Sequence, residues 1–516
     1  MSYSKLFENA TEGDSSGPIV GHLPEWVQGT LIYNGPVGQW EFEKENARHW
    51  FDGMAILQSF QIDQSKKLVF LKKRFLQSDA YQKAKANGKL IITEYGTPSA
   101  SDPDKNVMSR LVSSIIPGEM TDNCACSIYK LGGLYVAATE TSLLRIVDPV
   151  SLATGDKIDM SSLVNIASGR PITDHNGDVY NISGTFLTGI KYHILKFPAS
   201  DSQNPKEILS SAQTVATLPS RMKTYFSYYH SFGMSENYFV FIEQPWVANS
   251  MKLISSKIKG ISFFNCLEWM PEECNQFHVI ERSTGNRLDL TFKSRKPFFF
   301  LNHINTFEDD CGNLVVDLLT YDSPDILHQM SLEKLKSGKF EIKDESRIQR
   351  YVLPLAGGST SNYGTALASQ EGDITWLTPH AVVPETGCEH PSLNPQVRGR
   401  KYKFAYVIGW INSVNRGFFA NAITKVNMDT GESTSWKEEE FCHPAEAMFL
   451  PRPVSSEEGR STSDEDDGII MASVTDVRAD HKDFVVFLDA RNMSEVARCK
   501  FDDTIAFASH ASFYKN

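Results

Sequence analysis

Short apolar runs rich in β-branched and aromatic residues recur along most of this chain, joined by polar, turn-forming stretches. "KLVFLKKRFL" (67–76), "YFVFIEQP" (238–245), "NLVVDLLTYD" (313–322), "KYKFAYVIGW" (401–410), "GIIMASVTD" (468–476) and "DFVVFLDA" (483–490) all read this way. Side chains that branch at Cβ or carry a ring fit a pleated, half-buried surface, so these runs predict strands. A strand–turn–strand grammar recurs in "LLRIVDPVSLATGDKIDM", "FHVIERSTGNRLDLTF" and "AITKVNMDTGESTSWK". Each holds Thr-Gly or a polar cluster between extended runs, the composition of a hairpin turn. Helix candidates are short: "DAYQKAKANG" (79–88) and "SLEKLKSG" (331–338). The pattern predicts an all-β fold. Many meanders in one long chain without a strict sequence period point to a β-propeller, with a large sandwich or two barrels as alternatives.

Composition narrows the picture. Of 516 residues, 41% are hydrophobic and 22% charged, enough for a sizeable core and too apolar for a disordered chain. The formal net charge of -12 argues against a nucleic-acid partner, which would favour a basic face. "MSYSKLFENATEGDSSGP" has no apolar segment of a secretory signal, and no run of ~18 apolar residues suggests a membrane span. The expectation is a cytoplasmic protein with reduced thiols. Cys124 and Cys126 form C-x-C with no second pair at zinc spacing. "SSEEGRSTSDEDDG" (455–468) lacks calcium-loop spacing and reads as a solvated loop. In "KNVMSRLVSSIIPGE" (105–119), Val107, Met108, Leu111, Val112, Ile115 and Ile116 fall on one helical face. Two readings stand: a helix packed on the core, or a monotopic membrane contact with Lys105 and Arg110 at the headgroups.

Three of the thirteen histidines sit in similar settings: His230 in "TYFSYYHSFGMSENYFVFIEQP", His303 in "KPFFFLNHINTFEDDCGNLVVDLL" and His510 in "IAFASHASFY". Each borders aromatic, strand-like sequence, with small or polar neighbours that suit a strand end. Far apart in the chain but alike in context, they fit ligands converging from different strands, and imidazole suits iron, copper or zinc. Glu140, Glu389 and Glu446 also lie near strand-like segments. A carboxylate behind a ligating imidazole holds the distal N–H, fixes the tautomer and raises basicity. Taken singly, each of these residues has an ordinary structural reading as well.

Across nearly its whole length the sequence resembles the carotenoid cleavage oxygenases, especially the animal branch of β-carotene oxygenases, isomerooxygenases and retinal-pigment-epithelium isomerohydrolases. The resemblance rests on "PEWVQGTLIYNGPV" (24–37), "RHWFDGMAIL" (48–57), "YYHSFGMSENYFVFIEQP", "NHINTFED", "HPAEAMFLPRP" and "DEDDGIIMASV", in the expected order. It implies one domain over 1–516, a seven-bladed propeller with a cap of loops and short helices over the metal face. It implies ferrous iron, Fe(2+), on axial histidines, with His230, His303 and His510 matching ligands and Glu140, Glu389 and Glu446 matching the carboxylates that brace them. Thr139 matches a Thr-Glu pair near the open side of the iron. It further implies a carotenoid or retinoid substrate, dioxygen as co-substrate, and membrane contact through 105–119. The activity implied is oxidative cleavage of a carotenoid double bond. A carotenoid- or retinoid-binding protein with little turnover is the alternative, and a retinyl-ester isomerohydrolase a third.

One position departs from the family pattern. Relatives carry a ligand histidine in Thr-x-His-Pro-His ahead of Gly-x-Val-Tyr-Asn. With "GDVYN" (177–181) fixing the register, Pro171 matches the proline and Arg170 stands at the ligand position. A guanidinium is always protonated and has no lone pair for a metal. His175 lies five residues on, roughly 17 Å at full extension, and reads as a polar turn residue in "TDHNGD".

Overall fold

The computed structural model describes residues 3–99, 120–186, 189–355, 367–384, 387–409, 421–453 and 464–515. Segment 105–119 lies outside them, as do residues 455–463 of the acidic stretch.

The strand-like runs are strands: Leu68–Phe75, Tyr238–Glu243, Asn313–Tyr321, Phe404–Gly409, Gly468–Asp476 and Phe484–Asp489. The three hairpin segments pair antiparallel, Leu143–Val147 with Thr154–Asp159, Gln276–Glu281 with Thr291–Ser294, and Ile423–Asn427 with Ser433–Trp436. Both helix candidates form. Asp79–Asn87 is capped by the Ser78 hydroxyl and ends at Gly88 with φ 67°, and Leu332–Ser337 is capped by Ser331 and ends at Gly338 with φ 68°. A serine cap followed by a left-handed glycine closes each helix at both ends.

Among the described residues the strands form seven hydrogen-bonded sheets, the largest ten-stranded and joining the two ends of the chain. Gly13–Gly21 lies between Leu68–Phe75 and Glu495–Lys500, and Gly29–Gln39 pairs with His510–Tyr514, the last strand. Gly17 is needed there, because a Cβ would stand 2.2 Å from the Lys500 carbonyl oxygen. The main apolar core runs beneath this junction, through Leu31, Phe60, Phe449, Met471, Val486 and Phe487. Each side chain of this size contributes about 1.5–3 kcal/mol when fully buried.

The "HWFDG" element does structural work here. His49 Nδ1 accepts from the Phe51 amide at 3.2 Å, and Asp52 Oδ2 accepts from the His49 amide at 3.0 Å. Phe298, Phe299 and Phe300 are all buried, packed in core clusters. From the acidic stretch, Glu465 caps the strand at Phe404 by accepting its amide at 2.7 Å. Asp467 pairs with Arg452 at 3.1 Å, so this end of the stretch is bound rather than freely solvated.

Candidate functional site

His230 and His303 are prepared for a metal by two different devices. His230 follows the strand Tyr225–Ser227, and its Nδ1 lies 2.5 Å from Glu140 Oε1. A carboxylate only accepts, so Nδ1 carries the proton and Nε2 keeps a lone pair. His303 sits in the strand Phe299–Glu308, between two breaks in its register with Asn313–Tyr321. Such bulges re-aim a side chain. Its Nδ1 is 3.1 Å from Ser231 Oγ, and that hydroxyl spends its hydrogen on the Leu301 carbonyl at 2.6 Å. Ser231 therefore accepts from His303, and His303 Nε2 is left buried, unpartnered and with its lone pair. Burial pushes the His303 imidazole down to about 3, so it is neutral at ordinary pH.

His510 opens the last strand, opposite Asn34, which places it beside His230 with ring centroids 5.8 Å apart. One ligand atom from each of Cys126, His230 and His510 lies within 4.8 Å of the others. Burial and the nearby Arg170 charge push His510 down to about 3. Its Nδ1 has two claimants: Arg170 Nη1 at 2.5 Å and Glu446 Oε2 at 3.5 Å. A guanidinium only donates. While it holds Nδ1, the proton of the neutral ring is on Nε2, and Nε2 is freed for a metal only when Nδ1–H turns to Glu446.

Arg170 thus faces the site. Its amide donates to Ser168 Oγ at 2.9 Å, and the Ser168 hydroxyl donates to the His230 carbonyl at 2.5 Å. Gly169 lets this turn approach, since a Cβ would meet Cys126 Sγ at 2.7 Å. Arg170 Nη2 donates to Glu446 Oε1 at 3.1 Å, and the Ala511 amide donates to Glu446 Oε2 at 2.7 Å. Burial pushes the Glu446 carboxyl up, but the Arg170 charge and His510 outweigh it and hold the group well below the usual carboxylate range.

The glutamates are not equivalent. Glu140 stands behind His230, and Glu446 is shared by Arg170 and His510. Glu389 is held by donors other than the three imidazoles. It accepts from Tyr321 Oη and from Asn302 Nδ2, the latter at 2.9 Å, and Ser231 is the partner of His303. Burial raises the Glu389 carboxyl despite these two hydrogen bonds and a third from the His390 amide. His175 is at the exposed surface, its Nε2 3.1 Å from the Arg398 carbonyl.

Sequence reading missed one imidazole, His390. It lies in the strand Cys388–Ser392, with its ring centroid 5.3 Å from that of His510. Ligand atoms of His390, Glu446 and His510 lie within 4.8 Å of one another. Burial pushes His390 down to about 4. The signal in the sequence is "EHP", a histidine between a carboxylate and a proline.

An all-β chain whose joined ends carry one of several inward imidazoles defines the class. A family profile described as retinal pigment epithelial membrane protein matches residues 6–515, and the chain belongs to this carotenoid cleavage oxygenase family. It is 33% identical over 96% of its length to a "Carotenoid-cleaving dioxygenase, mitochondrial" of Mustela putorius furo, covering 93% of that protein. It is 31% identical over 96% of its length to the "Beta,beta-carotene 15,15'-dioxygenase" of Gallus gallus, covering 94% of it. A cobalt-substituted apocarotenoid oxygenase of Synechocystis superposes with a TM-score of 0.78 at 20% identity, over 100% of this chain and 98% of the other. No helix among the described residues is long and apolar enough to cross a membrane.

The donor chemistry fits a divalent transition metal. Two imidazoles are in the tautomer that leaves Nε2 free, and three are held neutral by burial, as a nitrogen ligand must be. His303 Nε2 and His390 Nδ1 are buried without a hydrogen-bond partner. A buried polar atom left this way asks for a partner, and a metal ion supplies one.

Proposed function

We propose that this protein is an iron-dependent carotenoid dioxygenase. It cleaves one double bond of a polyene with dioxygen, R–CH=CH–R′ + O2 giving R–CHO and R′–CHO. The reading is supported above all by full-length relatedness at 30% or more to proteins named as carotenoid dioxygenases. The fold reading that accompanies it is a single seven-bladed propeller over 1–516, with a cap over the metal face.

His230, His303 and His510 would hold Fe(2+), and when bound the metal supplies the activation of dioxygen. Glu140 fixes the His230 ring, Ser231 fixes His303, and Glu446 competes with Arg170 for His510. Glu140 and Glu446 act through the imidazoles and are positioning residues. Phe300 packs edge-on against His303 with ring centroids 5.2 Å apart, and apolar surroundings of this kind would exclude water and orient an apolar substrate. We place the protein in the cytoplasm, with 105–119 as its contact to the membrane in which such substrates dissolve.

One observation favours a second reading, a carotenoid- or retinoid-binding protein with weak turnover: the guanidinium of Arg170 against His510 and Glu446. Metal analysis of the purified chain, with chromatography of products from β-carotene and a hydroxylated carotenoid, decides between them. About one iron per chain with aldehyde products absorbing at shorter wavelength supports the dioxygenase. An iron-free chain that retains a coloured carotenoid and makes no aldehyde refutes it in favour of the binder.

A further inference from the structure

Position 170 offers no lone pair, yet the site is not short of an imidazole. Three features of His390 point into the same space. Its strand slips register against Phe404–Gly409 between Glu389 and Ser392, so His390 sits on a bulge. Its φ is 50°, in the left-handed region, and Pro391 follows it. A residue before proline resists helical conformations, and positive φ is uncommon for any residue but glycine, so the backbone here lies outside its usual range. Strain and bulges of this kind gather where a side chain must be aimed at a site. Its Nδ1 is buried with no hydrogen-bond partner, although the ring is packed beside His510 and Glu446.

A histidine that only filled space would need neither the strain nor the orphaned nitrogen. Unlike His510, it has no hydrogen bond from Arg170. We infer that His390 is a metal ligand of this site, supplying the imidazole that position 170 lacks. The ligand set is then His390 with His230, His303 and His510, and Glu446 stays behind His510 as a partner of Arg170. This rests on the reading that the site takes a divalent transition metal, but not on turnover.

The test is Co2+ binding by the full chain after chelation, followed by visible absorption and metal analysis. His390→Gly removes the imidazole and suits a φ of 50° without a Cβ, so the variant is expected to melt no lower than the parent. Loss of an outer partner alone weakens a metal site at least ~10-fold, and loss of a ligand is expected to do no less. The parent is expected to bind one Co2+ with a ligand-field spectrum. His390→Gly is expected to lose affinity at least tenfold, shift that spectrum, and regain both with millimolar imidazole. His390→Asn, which tolerates positive φ and cannot be rescued by imidazole in the same way, serves as the second variant.

An unchanged Co2+ affinity and spectrum in both variants overturns the inference, as does a parent that takes up no Co2+. Carotenoid conversion judges the functional reading separately. Co2+ held through His390 without aldehyde formation would leave the ligand assignment standing and remove the dioxygenase. Aldehyde formation by the parent, with Co2+ affinity and spectrum unchanged in both variants, would do the reverse.

Discussion

Replacing Arg170 by Met keeps most of the side-chain stem and removes the charge, which isolates what the guanidinium does for Glu446. In the parent the Glu446 side chain is 4% exposed and that of Arg170 24%, with 3.1 Å between them. Orphaning one member of a buried pair costs about 3–5 kcal/mol. Water reaches Arg170 in part, and Glu446 keeps the Ala511 amide at 2.7 Å, so the low end, about 3 kcal/mol, applies here. For 516 residues the unfolding entropy is about 1 kcal/mol/K, so the expected fall in Tm is about 3 °C. The assay is calorimetry of the metal-free chain for Arg170→Met, Glu446→Gln and the double variant. Because Glu446→Gln removes the charge left unpaired, the double variant is expected to lose at least about 1 kcal/mol less than the two singles added together. The sign with pH follows from the depressed carboxyl. Its contribution is present above the ordinary glutamate range and is lost as pH falls through a value below that range. The Arg170→Met deficit should therefore shrink once pH falls through the range where the variant's unpaired carboxyl takes up a proton, and disappear only in strong acid. Strict additivity of the two singles, or a deficit that vanishes by pH 5, would refute the ion pair as drawn.

Three further expectations come from other residues. Glu94 is buried, accepts from Thr121 Oγ1 at 2.6 Å, and burial raises its carboxyl well above 4.5, with Asp52 and Asp122 adding to the rise. A raised pKa contributes stability below the unfolded value that is lost as pH rises, so Glu94→Gln should melt increasingly above the parent from pH 5 to pH 8. Parallel melting curves across that range would contradict this. Asp317 accepts from Arg350 Nε at 2.8 Å, from Arg350 Nη2 at 2.9 Å and from Tyr402 Oη at 2.8 Å, all buried. Asp317→Ala should cost about 3–5 kcal/mol, read as a several-degree fall in Tm, and a loss under 1 °C would remove the pair from the account. His303→Ala deletes a free Nε2 and should lower iron content and abolish aldehyde formation; turnover at the parental rate would take iron out of the reaction.

The strands were legible because their apolar pattern is local, and the helices Asp79–Asn87 and Leu332–Ser337 because serine and glycine mark their ends. Gly13–Gly21, "GDSSGPIVG", was not legible. Its glycines, serines and proline speak against a strand, and it is one only because partners from 68–75 and 495–500 close on it from both sides. His230, His303 and His510 could be singled out since each lies at a strand end or bulge in aromatic sequence. Three partners were hidden for a common reason. Ser231 reaches His303 across 72 residues, and Tyr321 and Asn302 divert Glu389 across 68 and 87. Which donor a carboxylate meets is decided by strand register, and spacing along the chain does not carry it. His390 was hidden by the same means, its aim being set by a bulge against a strand that follows it.

Arg170 and His390 are best understood together. At the position that the family resemblance gives to a ligand, an arginine would bring a fixed positive charge toward the proposed dication, and at close range that repulsion would empty the site. Here the charge is paired with Glu446 at 3.1 Å, so the pair as a unit is neutral. The cost is borne elsewhere: Glu446 is no longer a free acceptor for His510, whose Nδ1 is 2.5 Å from the guanidinium and 3.5 Å from the carboxylate. On the proposed reading the site has no ligand at 170 and holds His510 in the wrong tautomer for as long as Arg170 bonds to it. An added imidazole with no competing donor is the simplest compensation, and His390 is the residue whose geometry meets it. Arg170→His in the parent should then raise Co2+ affinity by releasing His510, whereas in His390→Gly it should restore what the lost imidazole took away. A failure of Arg170→His to restore affinity in that background would mean that the two positions do not share one metal.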